Sequence, residues 1–334
     1  SAPYTYSVSA GTLPNGLTLS SGGILSGAPT TAGVFNFTVK ATANNSCEGT
    51  RAYSVAISAP GSALQFYPLA TPVRLLDTRT SGQSGCFTPG APITGGTSLT
   101  QLARGTCGIA ATAQAVTGNV TVVTPATGGF LTIYPSDATQ PLAANTNYAA
   151  GVVLNNVFTV GLGNADGTMK IFAQTTTHVV VDITGYYAPP ATGGLYFHPL
   201  PSPVRLLETR VGEPSCFTTN APLTGGTDTT QQGTATCSGV TIPAAAKALV
   251  GNATTVAPAA GGFLTLYPSD VTRPITANGN YGQNQTLNSP FTVGLSSAGQ
   301  FKIYTSATTH LVIDVLGYFS PDAVDVNGTG LLFN

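Results

Sequence analysis

Hydrophobic and polar positions alternate along this chain in short runs, with the two-residue period of a strand that buries one face. Phe35, Phe37, Val39 and Ala41 are interleaved with Asn36, Thr38 and Lys40, and Tyr53, Val55 and Ile57 repeat the rhythm beyond a polar loop at 44–50. Residues 130–134 and 179–183 are dominated by β-branched and aromatic side chains, with Pro, Gly or Asp at their ends, the signature of core strands. Asn164-Ala165-Asp166-Gly167, between Val160 and Ile171, has the chemistry of a hairpin turn. Residues 13–19 and 23–33 supply further tight turns between short strands. Helical spacing is almost absent, residues 243–247 being the best candidate. The pattern predicts an all-β chain of antiparallel strands closed into sandwiches or barrels.

Much of this pattern occurs twice. Leu64-Gln65-Phe66-Tyr67-Pro68-Leu69 and Pro72-Val73-Arg74-Leu75-Leu76-Asp77-Thr78-Arg79 return as Leu195-Tyr196-Phe197-His198-Pro199-Leu200 and Pro203-Val204-Arg205-Leu206-Leu207-Glu208-Thr209-Arg210. Gly128-Gly129-Phe130-Leu131-Thr132-Ile133-Tyr134-Pro135 returns from Gly261, and the run from Thr177 to Tyr187 returns from Thr309 to Phe319. The offset stays between 130 and 133 residues, so two tandem copies of one domain follow. The predicted organisation is 1–59, a short first domain; 60–190, repeat 1; 191–321, repeat 2; and 322–334, a linker with an orphan strand.

The first domain runs Leu13-Pro14-Asn15-Gly16-Leu17-Thr18-Leu19, then Gly23-Ile24-Leu25-Ser26-Gly27-Ala28-Pro29, then Gly33 into the alternating strand. Over residues 4–58 it resembles the Ig-like domain common in large bacterial surface proteins. That resemblance implies an Ig-like β-sandwich acting as a spacer or adhesion module. The repeats are similar to a domain of secreted bacterial proteins marked by P-x-R-L-L-D-T-R and D-x-x-G-Y-Y, for which no catalytic activity is implied. The expected fold class is therefore tandem β-sandwiches, Ig-like and jelly-roll-like, in an extracellular setting.

Cysteine usage agrees with that setting. Cys86 and Cys107 lie 21 residues apart, as do Cys216 and Cys237. One disulfide per repeat is the economical reading; a metal site competes, but neither pair has Cys-x₂-Cys spacing or a nearby His. Cys47, in the first domain, is left over as a free thiol or an intermolecular partner. Only 7% of the residues are charged, against about a quarter in an average domain, and the net charge is −1. No basic field exists to hold nucleic acid. No apolar run approaches the roughly 18 residues that span a bilayer. A surface so weakly charged suits packing against copies of itself.

The ends bear on assembly. Family members carry strands before the Pro3-Tyr4-Thr5-Tyr6 segment, so a sandwich starting here is short of a strand and exposes an unpaired edge. Leu331, Leu332 and Phe333 match the opening strand of a repeat. Head-to-tail donation of that strand to a neighbour's first domain would build a filament. The competing reading is that both ends are cut points. The start at Ser1 reads as a processed or trimmed product.

Candidate chemistry is thin. His178 and His310 each precede a strand aspartate, Asp182 or Asp314, by four residues, about 13 Å along a strand and beyond contact. His198 stands where repeat 1 has Tyr67, a packing position. Arg74, Asp77 and Arg79, with Arg205, Glu208 and Arg210, form either an ion-paired staple or a pocket for an anionic or sugar ligand. No catalytic residues, metal or cofactor are expected. The functional expectation is an extracellular structural subunit, filament or adhesin stalk, whose partners are copies of itself. The alternative is a pair of modules that bind surface glycans.

Overall fold

In the computed structural model, the described residues are 4–27, 29–31, 33–57, 63–81 and 84–334. Contacts divide the chain into two compact units, Ser1–Ala63 and Leu64–Phe333.

In the first unit, Tyr4–Gly11, Gly33–Ala43 and Glu48–Ile57 form a three-stranded antiparallel sheet with Gly33–Ala43 at its centre. Leu17–Leu19 pairs with Leu25–Gly27 as a separate hairpin. The alternation read from the sequence places Phe37 inside, stacked on Tyr53 at 5.8 Å between ring centroids. Yet among the described residues of this unit only Phe37 and Ala43 are buried core hydrophobics, while Tyr4, Ile24, Leu25, Val34 and Tyr53 are exposed. Among the described residues Glu48–Ile57 is an open edge, while the Tyr4–Gly11 edge is met at Tyr6, whose N–H donates to the Ser21 carbonyl at 3.0 Å.

Each repeat in the second unit is a two-sheet sandwich. Repeat 1 places Gln65–Asp77 beside His178–Ala188, then Ala115–Val123, then Val153–Gly161. Its second sheet orders Thr97–Leu102, Thr168–Ala173, Gly129–Pro135 and Thr146–Tyr148. Counted along the repeat, these orders are 1-8-3-6 and 2-7-4-5, those of an eight-stranded jelly roll. Repeat 2 has the same orders, with Tyr196–Glu208, His310–Ser320, Ala248–Val256 and Leu287–Gly294 in one sheet. Thr227–Gln232, Gln300–Thr305, Gly262–Pro268 and Gly279–Tyr281 make the other. Short extra strands, Phe217–Thr218 and the hairpin Ala235–Cys237 with Val240–Ile242, decorate repeat 2.

Alternation explains the cores. Val116, Val120 and Val122 point between the sheets of repeat 1 with Leu131, Ile171 and Val181. Leu249, Leu264, Ile303 and Ile313 do the same in repeat 2. The glycine of the D-x-x-G-Y motif has a steric reason. A Cβ at Gly185 would run into the Phe66 ring, and one at Gly317 would come within 2.6 Å of the Phe197 ring.

Three expectations change. Residues 164–166 do form a turn, but Val153–Gly161 and Thr168–Ala173 belong to opposite sheets, so it is an arch and not a hairpin. Asp166 holds it by accepting from Thr168 N at 3.0 Å and Ser136 Oγ at 2.9 Å. Residues 243–247 carry a turn and no helix, and the Ala246 N–H donates to the Pro243 carbonyl at 3.0 Å. The repeats also share a core, formed by Phe66, Leu195, Ala248 and Phe319. They are two jelly rolls within one compact unit.

The C-terminal stretch expected as a linker with an orphan strand is paired within the chain. Val324–Asp325 and Gly328–Thr329 form a hairpin, and Asn327 Nδ2 donates to the Thr241 carbonyl at 2.8 Å. Leu331 exchanges backbone hydrogen bonds with Phe197 (2.9 and 2.7 Å), and Phe333 with Leu64 (2.7 and 3.0 Å). The free donor strand read into Leu331, Leu332 and Phe333 is therefore corrected. Two turns of an in-chain ladder already satisfy it.

Candidate functional site

The recurring Arg and carboxylate motif sits at the end of the first strand of each jelly roll. In repeat 1 the Asp77 side chain is fully buried and accepts from Arg79 Nε at 2.8 Å, Arg79 N at 3.1 Å and Ser84 N at 3.2 Å. Burial pushes its carboxyl up, but these donors outweigh burial and hold it below the usual carboxylate range. Arg74 turns the other way and grips Asp182 with two bonds, Nε to Oδ1 at 2.8 Å and Nη2 to Oδ2 at 3.2 Å. Asp182 is pushed up by its complete burial, against the pull of Arg74.

Repeat 2 reproduces the staple. Glu208 Oε1 accepts from Arg210 N at 2.9 Å and Nε at 3.0 Å, and Arg205 Nε meets Asp314 Oδ1 at 3.0 Å. The hydrogen bond from Arg210 holds the Glu208 carboxyl below its ordinary value in spite of burial. Exposure separates the copies: the Arg74 and Asp182 side chains are 10% and 2% exposed, those of Arg205 and Asp314 38% and 31%.

Repeat 2 itself covers the first site. Arg74 Nη2 donates to the Ile275 carbonyl at 2.7 Å, and the Ala277 N–H donates to Asp182 Oδ2 at 3.0 Å. Nearby, Asn155 Nδ2 donates to the Asn278 carbonyl at 2.6 Å and Asn155 Oδ1 accepts from Asn280 N at 3.0 Å. A cleft of about 860 Å³ runs alongside, lined by Asn147, Tyr148, Phe263, Asn280, Tyr281 and Gln285 among others. It adjoins a smaller one of about 350 Å³ in which Arg74, Arg79 and Phe263 meet. Sequence reasoning found the arginines but missed Phe263, Asn155 and Asp182 as members of this region. The sequence marks Asp182 as the aspartate of the D-x-x-G-Y motif but carries no sign of its pairing with Arg74 and the Ala277 N–H.

The remaining candidates have structural places. His178 Nδ1 lies 2.8 Å from the Thr78 carbonyl, and His310 Nδ1 lies 3.0 Å from Thr209 Oγ1. His198 is buried and stacked on Tyr318, with Nε2 at 2.8 Å from the Asp322 carbonyl. Cys86–Cys107 and Cys216–Cys237 are disulfides, and Cys47 is a free, exposed thiol. Among the described residues, no helix is long and apolar enough to cross a membrane.

Comparison with known proteins agrees with the first unit. The family model described as "Putative Ig domain" matches residues 1–58, so that segment is an Ig-like module. No curated protein matches the sequence. One solved structure resembles it at 8% identity and a TM-score of 0.20, covering 94% of this chain. That structure is the M60 catalytic domain with the CBM51-1 and CBM51-2 domains from Clostridium perfringens ZmpB, of which this chain spans 43%.

Proposed function

We propose that this chain is an extracellular, non-catalytic structural or adhesive subunit that assembles with copies of itself. The observation that carries the reading is the first unit. Among the described residues its sheet buries little more than Phe37 and Ala43 and leaves Tyr4, Val34 and Tyr53 in solvent, with Glu48–Ile57 as an open edge. An exposed edge with apolar side chains pairs with another chain unless it is blunted, and here few charges blunt it. The two disulfides fit an oxidising, extracellular compartment. The Arg and carboxylate motifs act as staples, each carboxylate consumed by its own arginines.

A filament joined head to tail is the assembly this reading favours. Residues 331–333 are already paired with Leu64 and Phe197, so the contact is sought at the open edge of the first unit. The test is electron microscopy of the full chain beside a Val34→Lys/Tyr53→Lys variant. Assemblies formed by the parent and lost in the variant, with folding intact by circular dichroism, support the reading. Assemblies indifferent to both changes reject the first unit as the contact.

The cleft favours a second reading. Phe263, with Asn147, Asn280 and Gln285 along the wall, suits a glycan, the ring stacking on a sugar face and the amides reading hydroxyls. Specific signals on a glycan array, lost in Phe263→Ala, would establish it. An array without signal rejects it.

A further inference from the structure

The second sheets of the two repeats turn the same group of side chains outward. In Gly129–Pro135 and Thr168–Ala173, Leu131, Ile133 and Ile171 fill the core, so strand alternation sends Phe130 and Phe172 to the outer face. In Gly262–Pro268 and Gln300–Thr305, Leu264, Leu266 and Ile303 fill the core, and Phe263 and Tyr304 face outward. Both copies hold their rings in one geometry. Phe130 and Phe172 lie 5.8 Å apart with their planes at 41°, and Phe263 and Tyr304 lie 5.6 Å apart at 42°. Phe263 is exposed and the other three rings are half-buried. An amide stands beside each pair. Asn147 is directly opposite Phe130 in the antiparallel register and Asn280 directly opposite Phe263, so ring and amide share a face.

The cleft between the repeats joins these two groups. Its walls come from equivalent positions of both copies, Asn147, Tyr148 and Leu154 from repeat 1 and Asn280, Tyr281 and Leu287 from repeat 2. Among the described residues that line it, none is charged. Arg273, 3.7 Å from the centroid of the Tyr304 ring, is turned to Asp228 at 3.8 Å. A donor is left over in the wall. Asn280 Nδ2 is buried without a hydrogen-bond partner, and a ligand hydroxyl satisfies it when the amide turns about χ2. A cross-strand aromatic pair also stabilises a sheet, but that role calls for neither an amide beside each ring nor an uncharged cleft between the two sets.

We propose that the protein binds one extended, neutral glycan across the junction of the repeats, with a stacking subsite at each end. The proposal rests on the glycan reading of the cleft and gives that site a ligand class and a second subsite. At one end Phe263 and Tyr304 meet the apolar face of a sugar while Asn280 bonds its hydroxyls. At the other end Phe130 and Phe172 do the same beside Asn147. The sugars between them lie in the cleft, whose volume of about 860 Å³ falls within the range of ordinary ligand sites. Neutrality follows from the lining, since a carboxylate or sulfate on the glycan would lose its water there without gaining a cation. The second subsite engages a chain already held by the first, so affinity climbs with chain length until both are filled.

Isothermal titration calorimetry on the full chain tests this. The probes are gluco-, manno-, xylo- and N-acetylglucosamine oligosaccharides of graded length, from disaccharides upward, with an oligogalacturonide as the acidic control. In the series that binds, the disaccharide is expected to fill two sites per chain. A chain long enough to reach both is expected to fill one, about tenfold or more tightly. Phe130→Leu, Phe172→Leu and Phe263→Leu keep apolar bulk and remove a ring. Each should cut the disaccharide count to one and return the long chain to the disaccharide's affinity, with the melting curve by circular dichroism unmoved. Loss of binding in Phe263→Leu, with Phe130→Leu and Phe172→Leu both like the parent, rejects the second subsite and leaves the cleft reading standing. Binding that survives all three substitutions, or the failure of every series to bind, rejects both. Binding of the oligogalacturonide alone, by way of Lys170 and Lys302 on the same outer faces, overturns the neutral class.

Discussion

Asp182 and Asp314 are one residue of the repeat in two surroundings. Asp182 is enclosed by repeat 2, and its loss would strand the nearly buried Arg74 guanidinium and leave the Ala277 N–H without its acceptor. Asp182→Ala should therefore cost about 3 kcal/mol or more in denaturant unfolding, while Asp314→Ala, at an open pair, should cost under about 1 kcal/mol. Glu208 provides a pH test. Its carboxyl is held below its ordinary 4.5 by Arg210, so the fold keeps it ionised where the unfolded chain takes up a proton. The stability it contributes is present above that ordinary value and is lost as pH falls through the lower, folded one. Glu208→Gln should flatten the acid limb of the stability profile, measured by thermal melts through the carboxylate range. The motif itself was legible because arginines are so scarce that two of them flanking a carboxylate, twice, stood out. The difference between copies was not, because a partner about a hundred residues away leaves no mark on local sequence.

At the scale of elements, period-two alternation located the strands, and the duplicated motifs matched them between repeats. Residues 164–167 show the limit of local reading, since a turn of the right chemistry joins strands across sheets as readily as within one. Residues 331–333 show another: their likeness to an opening strand was visible, but their pairing with Leu64 and Phe197 depends on how three separated segments converge. The disulfides were legible from equal spacing. Each closes a loop spanning 21 residues, so Cys216→Ser/Cys237→Ser should lower stability by about 3 kcal/mol by the chain-entropy account. Calorimetry should show that loss as a lower melting temperature, and an unchanged melt would contradict the account.

For the whole molecule, two kinds of surface are left uncompleted among the described residues: the Glu48–Ile57 edge of the Ig-like sheet, and the face of repeat 2 whose twin in repeat 1 is covered. Charges on both are paired within the chain, Arg205 with Asp314 and Lys40 with Glu48, so little net charge guards either by repulsion between copies. These are the surfaces on which the proposed self-association rests. The most direct check is negative-stain electron microscopy of the purified chain over a concentration series, with light scattering alongside. Ordered multimers that grow with concentration are the predicted result. Particles of single-chain mass up to the limit of solubility would contradict it.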